Sequence, residues 1–137
     1  MKDLASIQEI LHLIKTIAVV GLSASPGRPS YGVSAYMQQQ GYRIIPVNPT
    51  VDHVLGEKSY PSLADIPESA KIDLVDVFRT PDAVPEIVDQ VIRLKIPYLW
   101  LQETVIHNEA AQRAEAAGVR VIMDRCILKD HRKYMRS

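Results

Sequence analysis

Short apolar segments of strand character alternate with segments of helical period along this 137-residue chain. The strand-like segments are rich in β-branched and aromatic residues, and they span residues 16–22, 42–47, 73–78, 98–102 and 119–123. Apolar strands separated by helices predict a parallel sheet covered on both faces. Because crossovers are right-handed, we expect one domain over residues 1–137, a Rossmann-like three-layer α/β/α fold with a mostly parallel five-stranded sheet.

The helical segments carry their own start and stop signals. An amphipathic helix is expected over residues 3–14, and a second begins after Ser30 as N-cap and stops at Gly41. A third follows Thr80 and Pro81, and a fourth runs from an Asn108 cap to Gly118. The crossover between the second and third strands is irregular, with one short helical turn near residues 62–66. We interpret the basic tail from residue 124 onward as a solvated terminus, or as help in neutralising a ligand phosphate.

Composition narrows the classes of partner. Lys and Arg together number 16, as do Asp and Glu, so the overall charge directs the chain neither to nucleic acid nor to an anionic membrane. Cys126 is the single cysteine, which excludes an internal disulfide. The beginning lacks the order of a secretion signal, and no apolar run approaches the ~20 residues of a membrane span. A cytoplasmic protein is therefore expected, and homo-oligomerisation is left open.

The loop after the first strand has the chemistry of a phosphate site. Gly21 allows close backbone approach, Ser23 and Ser25 supply hydroxyls, and Arg28 supplies a cation. The helix that follows directs backbone N–H groups at the same loop, which favours an anion. In parallel sheets, ligands bind beyond the carboxyl ends of the strands, so we predict a phosphate-containing ligand here.

The two familiar nucleotide fingerprints do not fit this loop. Five residues separate Gly21 from Gly27, and Arg-Pro follows where a P-loop has Lys-Ser/Thr. The dinucleotide fingerprint requires glycine where Ser23 stands, and the second strand ends in Val47, Asn48 and Pro49 without a ribose-binding acid. These departures favour NADP or a ligand with a ribose 3′-phosphate over NAD or ATP.

The chain resembles the small bacterial CoA-binding proteins, single-domain relatives of the N-terminal domain of the succinyl-CoA synthetase alpha subunit. The similarity covers residues 11–132, and its most specific parts are the glycine-serine loop with "RPSYG", "VNP" after the second strand, "DVFR" after the third and "DRC" after the fifth. The resemblance implies that coenzyme A, or an acyl-CoA, lies across the carboxyl edge of the sheet. The positions that match the family's ligand-binding segments are Gly21, Ser23, Ala24, Ser25, Arg28, Tyr31, Asn48, Pro49, Phe78 and Arg79.

The chain also departs from the synthetase pattern. It has no room for the second domain with a phosphorylated histidine or for the nucleotide-binding beta subunit. The synthetase has a CoA-assisting lysine shortly after the proline of the second strand, where this chain has Thr50, Val51, Asp52 and His53. Lys58 and Arg79 remain the two candidates to replace that lysine.

Cys126 follows the last strand and matches a cysteine of the synthetase family. An inert packed thiol is one interpretation. The other is a redox thiol that is activated by Arg125 and joined to the CoA thiol in a mixed disulfide. We interpret Glu103 and His107 as exposed loop residues rather than an acid–base pair, and the four histidines show no metal spacing.

Three classes of function are consistent with these residues. The first, which we favour, is a CoA or acyl-CoA binding protein without catalytic machinery of its own, acting as a carrier, a sensor or a redox-protective module. The alternative is an enzyme: an NADP-linked oxidoreductase with Tyr31 or His107 as proton donor, or the CoA-binding component of a multi-chain acyl-CoA ligase. A third is an interaction domain that kept the fold and lost the ligand.

Overall fold

The computed structural model describes residues 4–135, and the side chains of residues 7–135. The helices are α1 (Leu4–Leu13), α2 (Pro29–Gln39), α3 (Val84–Arg93), α4 (Asn108–Ala116) and α5 (Ile127–Tyr134). The strands are β1 (Thr16–Val20), β2 (Arg43–Val47), β3 (His53–Val54), β4 (Glu57–Lys58), β5 (Leu74–Val77), β6 (Tyr98–Leu101) and β7 (Arg120–Ile122). No helix of the described part is long and apolar enough to cross a membrane.

Five parallel strands form the main sheet in the order β2-β1-β5-β6-β7. They are the five strands predicted from the sequence, and the α/β fold expected for them is confirmed. From β1 the chain moves outward to β2, then returns across β1 to β5 and continues in the other direction. The order of strands therefore reverses between β1 and β5, where open α/β sheets bind their ligands.

Alternate residues of each strand face two separate cores, because side chains on a strand point to opposite faces in turn. On β1, Ala18 and Val20 join the core that includes Val84 of α3 and Ala110 of α4. The other face of β1 joins a second core with residues of α1, α2 and α5. The helices thus cover both faces of the sheet, as the apolar strands predict.

Two predicted helix caps are wrong. Arg28 is the N-cap of α2, and Ser30 lies inside the first turn, where its Oγ accepts a hydrogen bond from the Ser23 N–H at 2.9 Å. His107 caps α4 in place of Asn108, since its Nδ1 accepts from the Ala110 N–H at 3.1 Å. The Ser30 hydroxyl is thus engaged by the loop before α2, and the side chain that caps α4 is one residue earlier than predicted.

The crossover from β2 to β5 contains structure that the sequence did not indicate. Its predicted helical turn is present as a 3-10 turn at Leu63–Asp65. A second such turn spans Glu68–Ala70, and β3 and β4 pair as a small antiparallel hairpin. Strands of two residues are too short to produce a periodic pattern.

The tail is a packed helix, so its interpretation as a wholly solvated terminus is wrong. In α5, Ile127 is fully buried against the second core. His131 is also buried, and its Nδ1 lies 2.9 Å from the Tyr36 hydroxyl. Burial lowers the pKa of His131, because desolvation disfavours the imidazolium. The remaining basic residues of α5 are exposed.

Candidate functional site

A cleft of about 890 Å³ opens at the carboxyl edge of the sheet, above the point where the strand order reverses. It is lined by the loops that follow β1, β2, β5 and β6 and by the first turn of α2, and Cys126 lies at one end. The lining residues are Gly21, Ser23, Arg28, Pro29, Ser30, Val33, Val47, Asn48, Pro49, Thr50, Phe78, Arg79, Thr80, Pro81, Gln102, Glu103, Thr104, Val105 and Cys126. A volume of this size suits a cofactor-sized ligand.

Gly21 holds two loops together at the base of the cleft. Its φ is +88°, and a Cβ at this position would lie 2.4 Å from the carbonyl oxygen of Phe78. The Gly21 N–H donates to the Val47 carbonyl at 2.9 Å. A side chain would force the β1 and β5 loops apart, so glycine is required both for backbone conformation and for close approach.

Asn48 connects the β2 loop to the β1 loop. Its Nδ2 donates to the Leu22 carbonyl at 3.0 Å. Its Oδ1 accepts from the Thr50 N–H at 2.9 Å and from the Thr50 hydroxyl at 2.8 Å. Asn48 therefore orders this rim of the cleft while its side chain remains partly exposed on the surface.

The serines of the first loop hydrogen-bond to the loop itself. The Ser23 Oγ accepts from the Ser25 N–H at 3.0 Å, and the Ser30 Oγ accepts from the Ser23 N–H. The loop is thus shaped without a ligand, and the Ser23 hydroxyl retains its proton for donation.

The structure brings most of the predicted site residues together. Those that line the cleft are Gly21, Ser23, Arg28, Asn48, Pro49, Phe78 and Arg79, with Cys126 at its edge. Ala24 and Ser25 lie in the exposed part of the first loop, beside the cleft lining. Tyr31 lies on α2, half-buried against the second core, and does not line the cleft.

Two arginines bring positive charge to the cleft. Arg28 and Arg79 are exposed on its lining, and within the described residues neither forms an ion pair. Lys58, the other candidate for the phosphate cation, lies over the ring of Tyr60 at 5.2 Å and lines a different, smaller pocket. The geometry therefore favours Arg79 over Lys58.

The end of the cleft beyond β6 contains residues that were not predicted from the sequence. Gln102, Thr104 and Val105 line it. The only sequence signal for Gln102 as a site residue was its position. It is the first residue after β6, and the carboxyl ends of parallel strands meet at one edge of the sheet. Glu103 also lines this end, but Lys129 engages it in an ion pair at 3.0 Å.

A carboxyl group is buried beneath this end of the cleft. Asp76 lies within β5 and is 2% exposed, and its Oδ1 accepts from the Gln102 Nε2 at 2.6 Å. Burial raises the pKa of Asp76 to about 7, although the hydrogen bond from Gln102 and one from the Val77 backbone oppose the shift. A carboxyl group with a raised pKa thus lies one hydrogen bond below Gln102 of the cleft lining.

Neither Arg125 nor His107 has the geometry expected of an active-site group. The Arg125 guanidinium binds Asp130 through two hydrogen bonds, at 2.7 and 2.8 Å, so it is directed to a carboxylate rather than to the Cys126 thiol. His107 uses its Nδ1 as the helix cap. Within residues 4–135, no group of three His, Cys, Asp or Glu side chains is placed to hold a metal ion.

Comparison with known proteins gives the cleft a context. Residues 15–132 match the model of a family described as "CoA binding domain". The uncharacterized protein YneT of Bacillus subtilis is 45% identical over 127 residues, which is 93% of each chain. An Archaeoglobus fulgidus protein named acetate–CoA ligase [ADP-forming] II is 36% identical over 103 residues; these cover 74% of this chain but only 15% of the ligase.

Solved structures agree with the fold. A hypothetical protein from Pyrococcus horikoshii OT3 superposes with a TM-score of 0.94 at 37% identity, over 98% of this chain and 94% of its own. The apo form of a dinucleotide forming acetyl-coenzyme A synthetase 1 from Ca. Korarchaeum cryptofilum superposes with a TM-score of 0.68 at 25% identity; it covers 79% of this chain and 25% of the synthetase chain. The chain thus spans only 15% of the ligase and 25% of the synthetase chain that it matches.

Proposed function

Because the chain belongs to the CoA binding domain family, we propose that the protein is a binding module without catalysis of its own and that its cleft binds coenzyme A or an acyl-CoA. The observation that carries the proposal is the pair of exposed arginines, Arg28 and Arg79, on the lining of a cofactor-sized cleft. Guanidinium groups bind phosphate through paired, charge-assisted hydrogen bonds. Coenzyme A offers both a diphosphate and a ribose 3′-phosphate.

The arrangement of the loops supports one orientation of that ligand. The diphosphate lies at the Ser23 loop and the start of α2, where Arg28 stands. The adenosine lies toward the β2 side, at Asn48 and Pro49, because no carboxylate there repels a phosphorylated ribose. The pantetheine arm then extends toward β5 and β6 and ends near Cys126.

Coenzyme A is expected to raise the melting temperature, because a ligand that binds only the folded state stabilises it by about 2.7 kcal/mol at 100 times its Kd. A thermal-shift panel with CoA, acetyl-CoA, NADP, NAD and ATP is the measurement. Stabilisation by both CoA forms and by no other compound supports the proposal. Stabilisation by NADP but not by CoA overturns it and favours the oxidoreductase alternative. If no compound acts at millimolar concentration, the domain has lost its ligand.

Arg79→Ala is expected to weaken CoA binding by about 10-fold to 150-fold, since a hydrogen bond to a charged group contributes about 1.5 to 3 kcal/mol. Titration calorimetry measures the change. Arg93→Ala is the matched control, because Arg93 is exposed near the end of α3 and does not line the cleft. Equal CoA affinity of the Arg79→Ala variant and the wild type contradicts the assignment of Arg79 to a phosphate.

A redox role at Cys126 is a second candidate function, favoured by its partial exposure at the end of the cleft. The Cys126 thiolate is expected to attack CoA disulfide, so that a mixed disulfide forms and one CoA thiol leaves. Intact-mass measurement then shows one CoA adduct that dithiothreitol removes, and Cys126→Ser shows none. Absence of the adduct from the wild-type protein rejects this role and leaves CoA binding unaffected.

A ligase role would need further chains, because the chain spans only 15% of the acetate–CoA ligase it matches. In that alternative, this domain holds CoA while a partner supplies the phosphorylated histidine. Co-purification from the native source tests the ligase component. Recovery of a stoichiometric partner that confers acyl-CoA synthesis favours it, and CoA binding by an isolated chain without such a partner favours the binding module.

A further inference from the structure

The end of the cleft beyond β6 has a buried polar side chain that the phosphate-binding role leaves unused. Gln102 is 5% exposed, yet it lines the cleft. Its backbone N–H donates to the Val77 carbonyl, which fixes the residue to the neighbouring β5. Gln102 is therefore held in a defined position on the lining of the cleft.

One end of the Gln102 amide is bound and the other is open. Its Nε2 donates to Asp76 at 2.6 Å. Its Oε1 has no hydrogen-bond partner within the described residues. Among the described residues, the fully buried polar side-chain atoms without a hydrogen-bond partner are Ser34 Oγ, Gln90 Oε1 and Tyr134 OH. Gln102 Oε1 is not one of them. Solvent therefore reaches Oε1, and the cleft that Gln102 lines is the route.

The titration of Asp76 depends on Gln102 and burial rather than on other charges. Its neighbours in the sheet are Val19 on β1 and Trp100 on β6, which are not ionisable. The titratable side chains of the helices on the same face are Tyr31 and Tyr36 of α2, Cys126 before α5, and Lys129, Asp130, His131, Arg132, Lys133 and Tyr134 of α5, together with Glu9 and His12 of α1. Tyr42 and Tyr98 belong to the same core. None of them contributes a Coulombic shift to the pKa of Asp76.

We propose that Gln102 hydrogen-bonds to the terminal group of the ligand and that Asp76 sets the orientation of its amide, so that the pair distinguishes a free thiol from a thioester. When Asp76 is ionised, it accepts from Nε2, and the Gln102 oxygen faces the cleft as an acceptor for a thiol S–H. When Asp76 is protonated, its O–H donates to the Gln102 oxygen. The amide then turns, and Nε2 faces the cleft as a donor to a thioester carbonyl.

This inference rests on the proposed function, because it needs the pantetheine arm to reach β6. Sheet order places β6 two strands from β1, about 10 Å at the ordinary strand spacing. Asn48 and the β2 loop lie on the opposite side of β1. A ligand with its diphosphate at the β1 loop and its adenosine toward β2 therefore directs its other end toward Gln102.

The proposal predicts a pH dependence that differs between two ligands. Binding of acetyl-CoA requires an ionised Asp76 to take up a proton from solvent, so the affinity for acetyl-CoA falls as the protonated fraction of Asp76 falls. With a pKa of about 7 for Asp76, that fraction drops about tenfold between pH 6 and pH 8, and acetyl-CoA binding weakens by the same factor. The affinity for CoA does not fall over this range, because the free thiol binds the ionised state of Asp76. The phosphate groups titrate identically in both ligands and cancel in the ratio of their Kd values.

The test is titration calorimetry with CoA and with acetyl-CoA at pH 6, 7 and 8, in buffers of different ionisation enthalpy. The wild-type protein is expected to show net proton uptake with acetyl-CoA at pH 8, and a preference for acetyl-CoA over CoA that falls by at least about tenfold from pH 6 to pH 8. Asp76→Asn keeps a hydrogen-bonding side chain that cannot ionise. In this variant the preference is expected to be independent of pH.

Two further variants test whether the pH dependence of the ligand preference comes from Gln102 and Asp76. Gln102→Met removes the amide with a similar side-chain length and is expected to abolish the pH dependence as well. Glu86→Gln removes an exposed carboxyl group on α3 and is expected to behave as the wild type. If the wild type binds both ligands with a ratio that is constant with pH, the inference is wrong while the proposed function stands. If it binds neither ligand, both are wrong.

Discussion

Asp76→Asn is expected to raise the free energy of unfolding at pH 8 by about 2 to 4 kcal/mol relative to the wild type. Burial raises the pKa of Asp76 from 3.8 to about 7, so the folded protein retains a proton that the unfolded chain has lost. Wild-type stability therefore falls as pH rises from about 4 to about 7. The roughly three pKa units are worth about 1.4 kcal/mol each. Asparagine cannot ionise, and its side-chain oxygen still accepts from Gln102.

Urea unfolding at pH 4, 5.5 and 8 measures this effect, because its midpoint and slope give the free energy at each pH. The difference between variant and wild type is expected to grow with pH and to level off above pH 8. Glu86→Gln controls for the loss of a carboxyl group from an exposed helix position. An Asp76→Asn protein that is less stable than the wild type at pH 8 contradicts a costly ionisation at this site.

The strands were predictable because each one is buried on both faces. Ile17, Ala18 and Val19 of β1 are all nearly inaccessible to solvent, so the whole strand must be apolar. Their alternation with amphipathic helices leaves few topologies once crossovers are right-handed. Helix α5 was missed for the opposite reason, because most of its residues are polar or charged. Of its three buried residues, Ile127 is apolar, whereas Asp130 and His131 are polar and give no hydrophobic signal.

The candidate site was predictable to the extent that it lies on loops after strands. Parallel strands end at one edge, so Gly21, Asn48 and Arg79 come together although they are far apart in sequence. Hydrogen bonds across the loops could not be predicted. The Ser30 side chain serves the Ser23 N–H rather than a helix cap, and nothing in the local sequence distinguishes these two uses.

Asp76 and Gln102 illustrate what a pattern of residue types cannot show. A carboxyl group within an apolar strand is compatible with an edge strand, a turn or a buried pair. Only the order of the sheet places β5 between β1 and β6, with Gln102 as the hydrogen-bond partner of Asp76. Burial then sets the pKa of Asp76, which depends on tertiary packing and not on sequence neighbours.

Gly21→Ala is expected to lower the free energy of unfolding by at least about 2 kcal/mol and to weaken CoA binding more than tenfold. A non-glycine residue at a positive φ costs about 1 to 3 kcal/mol, and φ here is +88°. The added Cβ would also lie 2.4 Å from the Phe78 carbonyl oxygen, so the β1 and β5 loops must separate. That movement displaces Arg79 from its place on the cleft lining.

Thermal unfolding and CoA titration of the same protein separate the two effects, and a loss of about 6 °C or more in melting temperature is expected for a domain of this size. Gly27→Ala is the matched control in the same loop. Gly27 has no positive φ of this kind, and a Cβ there meets no atom within 4 Å, so both measurements are expected to remain at wild-type values. If Gly21→Ala matches the wild type as Gly27→Ala does, the close approach of the two loops is not what shapes the cleft.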